Sequence, residues 1–146
     1  LDSPDDLKGH CVYSNLYANR YSFAVTYPLM KNGRIMTYTR QEQIRWSNVD
    51  IAREAVCNGL GIGLTMPLFA CIDDLEAGRL VPILNGWHRP SQQNYLACRK
   101  DDWNISYMRE FMHWFAEELT FHETSCERRF SELFGEALLA EYASNG

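Results

Sequence analysis

The stretch SNVDIAREAVCNGLGIGLTMPLFACIDDLEAGRLVPIL, residues 47–84, decides the fold of this chain. Apolar residues recur at helical spacing over 49–59, and the closing Asn-Gly pair is typical of a helix end. The run 60–66 predicts a buried central strand whose glycines let another backbone or a ligand come close. A second helix over 67–77 and a strand over 79–84 complete the unit. Its turns carry no catalytic residues, which indicates a protein that holds a molecule rather than transforming it.

The residues before this stretch predict a short helix and several strands. SPDD, residues 3–6, is typical of a helix start with a capping box. Short β-branched and aromatic runs predict strands over 10–15 and 21–25. The Asn-Gly pair at 32–33 predicts a hairpin turn before a strand over 35–39.

The residues after this stretch predict one more strand and two helices. The strand is expected over 94–98. Over 104–122 the apolar and aromatic residues cover a wide helical face, which is more typical of a buried core than of a cofactor site. Thr124 and Glu127 form a capping box, so a separate last helix is expected, with an apolar face over 130–138 that needs a partner surface.

Length and composition describe an ordinary globular protein. The 146 residues are 46% hydrophobic and 23% charged, which supports one sizeable core. A net charge of -5 argues against binding to the phosphate backbone of DNA, so any DNA contact should come from a part of the protein outside this chain. No apolar run is long enough to cross a bilayer, and no membrane contact is expected. The five cysteines form no C-x-x-C pair, which indicates reduced thiols in a cytoplasmic protein.

The sequence carries no motif that requires an enzyme, and we expect no catalytic residue, no cofactor and no metal site. The four histidines are scattered and form no metal-ligand pattern. Gly59, Gly61 and Gly63 mimic a dinucleotide fingerprint, but they follow a helix and open a strand, which is the reverse of that motif. Asp73 and Asp74 are expected on a solvated helix face rather than as a catalytic pair in a cleft.

Four segments of the chain resemble, in order, parts of the effector-binding domain of LysR-type transcriptional regulators. SPDDLKGHCVY, residues 3–13, is similar to the entry into the second subdomain of that domain. WSNVDIAREAVCNGLGIGLTMP, residues 46–67, is similar to its helix and glycine-rich strand. LEAGRLVPILNGW, residues 75–87, is similar to the next strand, and residues 94–119 to the crossing strand and closing helix. The resemblance covers residues 1–119, the C-terminal half of the family's domain.

The resemblance implies an α/β fold like that of type 2 periplasmic binding proteins, in which two subdomains clamp a small molecule. One subdomain is expected to be complete, over residues 1–98 with its crossing strand. The other would be represented only by its closing helix, 99–122, and an amphipathic helical extension would follow over 123–146. The remaining strands, and the winged helix-turn-helix that reads DNA, would precede this chain, which begins without a methionine. Two departures from the family are Tyr21, where a tryptophan is usual, and the tail from Phe121, which has no counterpart.

The resemblance also implies an effector site in the cleft between the two subdomains. The helix that begins at Ser47 would point its N-terminus into the cleft, where N–H groups and the helix dipole favour a carboxylate or another anion. Ser47 and Asn48 are therefore the first candidates for effector contacts. The remaining candidates, at the end of the first strand and the start of the second helix, are Tyr13, Ser14, Asn15, Met66 and Pro67. Helix capping and strand-end hydrogen bonds are the structural alternative for all of them.

The function that the resemblance implies is effector sensing and oligomerisation within a DNA-binding regulator, with a small anionic ligand. Effector binding would change the relative orientation of the subdomains and so rearrange an oligomer on DNA. Wide apolar helical faces support a homo-oligomer. Two alternatives stay open: a solute-binding protein of a transport system, and a small interaction module that docks onto a partner through a helix over 130–142.

Overall fold

The computed structural model describes residues 1–15, 24–41, 45–46, 48–90 and 94–143. Its strands are β1 (Val12–Asn15), β2 (Ala24–Lys31), β3 (Arg34–Gln41), β4 (Arg45–Trp46) and β5 (Ile62–Gly63). Its α-helices are α1 (Val49–Cys57), α2 (Leu68–Glu76), α3 (Ser106–Phe134) and α4 (Glu136–Ala143). Short 3-10 helices occupy Pro4–Leu7 and Asp102–Asn104. The described chain is therefore a mixture of helices and strands.

A parallel sheet with the strand order β4-β1-β5 forms the first layer. Asn15 pairs with Trp46, and Tyr13 pairs with Gly63. The close approach predicted for the glycines is confirmed, because a Cβ atom on Gly61 would lie 2.3 Å from the carbonyl oxygen of Cys11. The predicted central position of this strand is wrong: β5 has two residues and lies at the edge of the described sheet, because the next expected strand, 79–84, is irregular.

A second, antiparallel pair of strands is the hairpin that the Asn-Gly signal predicted. β2 and β3 pair from Ala24 with Gln41 to Lys31 with Arg34. Asn32 and Gly33 form the turn with φ angles of 50° and 72°, which matches the left-handed conformation that such two-residue turns require. The hairpin prediction is confirmed, although the strand predicted over 21–25 lies partly outside the described residues.

Two predicted strands, 79–84 and 94–98, are wrong, because both segments are irregular in the structure. The backbone N–H groups of Arg79 and Leu80 donate to the carbonyl oxygen of Asp74 instead of to a neighbouring strand. Leu84 donates to Leu1, far away in the sequence. The residues over 94–98 are mostly exposed and make no strand pairing with the described part of the chain.

The two helices predicted at the C-terminal end are one continuous helix, α3, followed by α4. Thr124 does not cap a helix there, because its hydroxyl group donates to the carbonyl oxygen of Thr120 at 2.9 Å within α3. Neither proline nor glycine interrupts Ser106–Phe134, and α3 ends only before Gly135. Helix propensity over this span therefore outweighs the local capping signal.

Two apolar clusters hold these elements together. The first lies between β1, the hairpin and the N-terminal 3-10 helix, and its buried members are Leu7, Val12, Tyr27, Leu29, Tyr38 and Leu84. The second joins α2 to the C-terminal half of α3, where Ile72, Cys126 and Phe130 are buried and Leu138 and Leu139 of α4 pack against them. The capping box predicted over 3–6 is confirmed. It fixes the short helix that carries Leu7, whose exposed fraction is 0%.

The N-terminal half of α3 is the main exception to the predicted burial. We define its aromatic face as Tyr107, Phe111, Trp114 and Phe115. These side chains are 65%, 51%, 54% and 39% exposed, so the prediction that this face is part of the core is wrong for the described chain. The physical reason is the direction of α3, which brings its C-terminal half, and not this half, onto α2.

Candidate functional site

The carboxyl ends of β4, β1 and β5 meet at one edge of the parallel sheet. Asn48 follows β4 and begins α1, whereas Met66 and Pro67 follow β5 and begin α2. Asn15, the last residue of β1, pairs with Trp46, so the positive end of the α1 dipole begins at this edge, two residues after that pair. In open α/β sheets this edge is where ligands bind. Chain order thus brings Asn15, Asn48 and Met66 to the same end of the sheet.

The start of α1 is capped by Asn48. The Asn48 side-chain oxygen accepts a hydrogen bond from the backbone N–H of Asp50 at 2.8 Å, and the side chain is exposed. Ser47 lies outside the described residues, so its predicted effector contact stays a prediction. The carboxylate of Asp50 lies in the first turn of α1 and offsets part of the positive dipole there. An anion at this helix end would compete with Asp50.

Tyr13 is buried against the loop that precedes β5. Its side chain is 4% exposed, and its hydroxyl group donates to the carbonyl oxygen of Leu60 at 3.1 Å. Burial, and then the neighbouring Cys11, raise the pKa of the Tyr13 phenol. These contacts support a packing role between β1 and the loop that precedes β5. The effector contact expected of Tyr13 stays a prediction.

The other four candidates differ in what the structure shows of them. Ser14 and Asn15 belong to β1 and pair with β4, but their side chains lie outside the described residues. The side chain of Met66 folds back over β5, so a Cβ atom on Gly63 would lie 2.1 Å from the Met66 methyl carbon. Pro67 precedes α2 without a side-chain capping bond. Met66 is therefore the candidate whose side chain packs against β5 itself.

Asp74 is a buried charged residue. Its predicted position on a solvated helix face is therefore wrong. Asp74 is 1% exposed and bonds to Arg53 of α1, with 2.6 Å between Oδ2 and Nη1, and to Arg79. Burial alone would raise the pKa of Asp74, but the hydrogen bond and charge of Arg53, with the charge of Arg79, lower it. The signal was present in the sequence, because Asp74 lies three residues after the buried Cys71, on the apolar side of α2.

The thiols near this ion cluster are not activated for nucleophilic chemistry. Burial, and then the charge of Asp74, raise the pKa of Cys71 to about 11. The same two causes, in the same order, raise the pKa of Cys57. Both groups are therefore thiols at neutral pH, and a thiol is a poor nucleophile compared with a thiolate.

A cavity of about 540 Å³ lies beside this cluster. Its lining includes Met66, residues of α2 and the irregular segment 79–84, together with Phe130 and Leu139 from the C-terminal helices. Within the described residues, no three acidic, histidine or cysteine side chains come together as a metal site would require. None of the described helices is both long and apolar enough to cross a membrane.

Comparison with known proteins identifies the family to which this sequence is similar. The profile of the LysR substrate binding domain matches residues 3–120, which is most of the 146-residue chain. No curated protein and no solved structure gives a significant match. The matched family belongs to transcriptional regulators rather than enzymes, and it implies a fold like that of type 2 periplasmic binding proteins. The chain therefore belongs to the LysR substrate binding domain family, as the resemblance predicted.

Proposed function

We propose that this chain senses an effector for a LysR-type transcriptional regulator by binding a small anion at the carboxyl edge of the β4-β1-β5 sheet. The observation that supports the proposal is the strand register, because Asn15 at the end of β1 pairs with Trp46, two residues before the cap of α1, Asn48. Asn48 and the first N–H groups of α1 would hold a carboxylate, with Ser47, Ser14 and Asn15 as further contacts. Met66 and Pro67 would shape the apolar side of the site.

The first experiment measures anion binding at this edge. The chain is titrated with small mono- and dicarboxylates, such as benzoate and succinate, while amide signals of the first turn of α1 are followed by NMR. Asn48→Ala should weaken binding about two- to fivefold, and Asp50→Asn should strengthen it by a similar factor, because one removes a contact and the other a competing charge. The proposal fails if the bound acids leave these amide signals unmoved and neither substitution changes the affinity.

Stability must be separated from binding in this experiment. Loss of the Asn48 side chain also removes a cap that stabilises the fold by about 1 kcal/mol. Asp50→Asn serves as the matched control, because it keeps the size of the side chain and is expected to change the affinity in the opposite direction. A change of the same sign in both variants would reflect a loosened helix rather than a lost contact.

The expected mechanism is a shift between two arrangements of the effector-binding domain. A ligand moves such an equilibrium only by as much as its affinity for the two arrangements differs. We propose that the subdomain formed by residues 1–98 moves relative to the helical part over 99–122, with 123–146 as an extension. DNA would be read by a separate winged helix-turn-helix module, and the net charge of -5 supports a role for this chain that does not grip DNA.

We further propose that the regulator forms a homo-oligomer and that the aromatic face of α3 contributes to the contact. Its four side chains are about half exposed, which corresponds to roughly 300–500 Å² of aromatic surface. An apolar patch of this size is comparable to the largest on a typical monomer, and such patches are often interaction sites. Because exposed carboxylates at Glu110, Glu117 and Glu118 flank the face, added salt should strengthen the association between two copies.

Sedimentation of the chain over a wide concentration range tests this association. Trp114→Glu should abolish it, since a charge would enter the centre of the contact. Ile35→Glu is the matched control, because Ile35 is 64% exposed on the hairpin and far from α3 in the sequence. A chain that sediments as a monomer at every concentration, with and without salt, would contradict the proposal.

The two alternatives from the sequence have less support. The family match favours a regulator over a solute-binding protein of a transport system. An interaction module would offer the apolar face near Phe130 to a partner, but Phe130 is 5% exposed and packs against Ile72 within the chain itself. The C-terminal helices therefore already have an internal partner.

A further inference from the structure

We infer that the cavity beside α2 is a second binding site, for a small molecule with an apolar body and one carboxylate group. The cavity measures about 540 Å³, within the range of roughly 300–1,000 Å³ that ligand pockets occupy. The space is open on one side and lies between the two apolar clusters, which is the concave, mostly apolar form that small-molecule sites take.

The side chains that line the cavity favour a ligand whose main part is apolar. Aliphatic side chains cover most of the wall, among them Leu64, Leu68, Leu80 and Ile83, and Trp87 adds an aromatic ring. In the described lining, no side chain is acidic and Arg79 is the only charged one. An apolar pocket with one convergent charged group selects a hydrocarbon body and fixes its orientation through the polar end.

The net charge around Arg79 favours a ligand with a negatively charged group at one end. Arg79 and Arg53 share the single buried carboxylate of Asp74, so the three groups together carry one positive charge. Glu54 lies 3.8 Å from Arg53, but it is 60% exposed on the solvent side and does not contact Arg79. Arg79 is 54% exposed, and Asp74 is its only side-chain partner within the described residues. Its remaining N–H groups can therefore bind a carboxylate in the paired geometry that arginine favours.

This site differs from the proposed effector edge. Asn48 and Pro67 do not line the cavity, although Met66 borders both. Two wall residues, Phe130 and Leu139, lie beyond the residues 3–120 that match the family. The C-terminal helices thus complete the cavity, and an occupant would contact α2 and those helices at once. Binding would fasten the C-terminal helices to the α/β part of the chain.

Calorimetric titration of the full chain with decanoate, kept below its micelle concentration, tests the inference. One equivalent should bind, and 1-decanol, which has the same body without the charge, should bind at least tenfold more weakly. 2-Naphthoate distinguishes an aliphatic from an aryl ligand at the same site. Arg79→Gln should weaken decanoate binding by roughly tenfold or more, and Arg79→Lys should restore part of it.

A second variant keeps the test independent of the ion cluster. Leu80→Trp adds bulk to the cavity wall, and Leu80 is not a member of either buried cluster, so decanoate binding should be lost while the fold persists. Arg99→Gln is the matched control for charge, because Arg99 is an exposed arginine paired with Asp102 at 2.7 Å. It should leave decanoate binding unchanged.

The outcomes separate the cavity from the effector edge. Asn48→Ala should not change decanoate binding, even where it weakens binding of small carboxylates at the edge. The inference is overturned if folded Leu80→Trp binds decanoate as the parent does, or if Arg79→Gln loses no more affinity than Arg99→Gln. Loss of decanoate binding in Asn48→Ala alone would assign the ligand to the sheet edge instead.

Discussion

The two halves of α3 both carry large aromatic side chains, but these have opposite surroundings. In the N-terminal half, Phe111 and Trp114 are 51% and 54% exposed. In the C-terminal half, Cys126 and Phe130 are 2% and 5% exposed and pack against Ile72 of α2. An amphipathic pattern therefore states which side of a helix is apolar, whereas the neighbouring surface decides whether that side is covered.

The two halves of α3 also differ in their charged contacts. Arg129 donates to both carboxylate oxygens of Glu76 and to Asp73, with each distance 2.6 Å. This guanidinium spans from α3 to the exposed side of α2, next to the apolar cluster. In the N-terminal half, the arginine of the helix, Arg109, donates instead to the backbone carbonyl of Trp103 at 3.2 Å. Only the C-terminal half is thus joined to α2 by both apolar and charged contacts within the described chain.

The largest expected effect comes from truncating the buried anchor of the C-terminal half. Phe130→Ala should lower the free energy of unfolding by roughly 3–5 kcal/mol, because it removes buried apolar surface and leaves a cavity. Urea denaturation followed by circular dichroism measures the change. Phe111→Ala is the matched control and should stay within about 0.5 kcal/mol, since its ring is half exposed. Equal losses in the two variants would mean that both halves are covered in solution.

The next effect concerns the ion cluster that fixes α2, the surface on which the C-terminal half of α3 lies. Asp74→Asn should lower the free energy of unfolding by about 2–3 kcal/mol, because it leaves Arg53 and Arg79 close together without their shared carboxylate. Asp73→Asn changes the neighbouring residue, whose side chain is 84% exposed, and should have a much smaller effect. A stable Asp74→Asn variant would show that α2 is held by its apolar contacts alone.

The local parts of this fold could be predicted from the sequence. The hairpin at Asn32 and Gly33, the capping box at Ser3 and the two helices after β4 and β5 all depend on neighbouring residues, and the structure contains each of them. The irregular segment 79–84 could not be predicted, because its hydrogen bonds reach the carbonyl groups of Asp74 and Leu1. Such partners are set by tertiary packing and not by the pattern of the segment.

The candidate sites show the same division. Chain order was enough to place Asn48 and Met66 at one sheet edge, because parallel strands followed by helices share that geometry. The role of Asp74 was missed, since two adjacent aspartates usually lie in solvent and its arginine partners come from α1 and from the segment after α2. The cavity required Phe130 and Leu139 to reach α2, which no local pattern in the sequence indicates.

The smallest expected effect is the pH dependence of stability that comes from the ion pair between α3 and α2. The hydrogen bond from Arg129 is the main cause that lowers the pKa of Glu76 from its ordinary value of 4.5. The charged form is favoured in the folded chain, so the pair stabilises the fold above that ordinary value and is lost as the pH falls through the lowered pKa.

Urea midpoints measured from about pH 6 to about pH 3 should therefore fall less steeply in Glu76→Gln than in the parent chain. Glu118→Gln is the matched control, because Glu118 is exposed on α3, forms no ion pair with α2 within the described residues and should keep the parent's slope. The difference should shrink in high salt, since the pair is solvent-exposed. If Glu76→Gln and Glu118→Gln gave the same slope, the C-terminal half of α3 would be held by Phe130 and its apolar neighbours, and Arg129 would add only orientation.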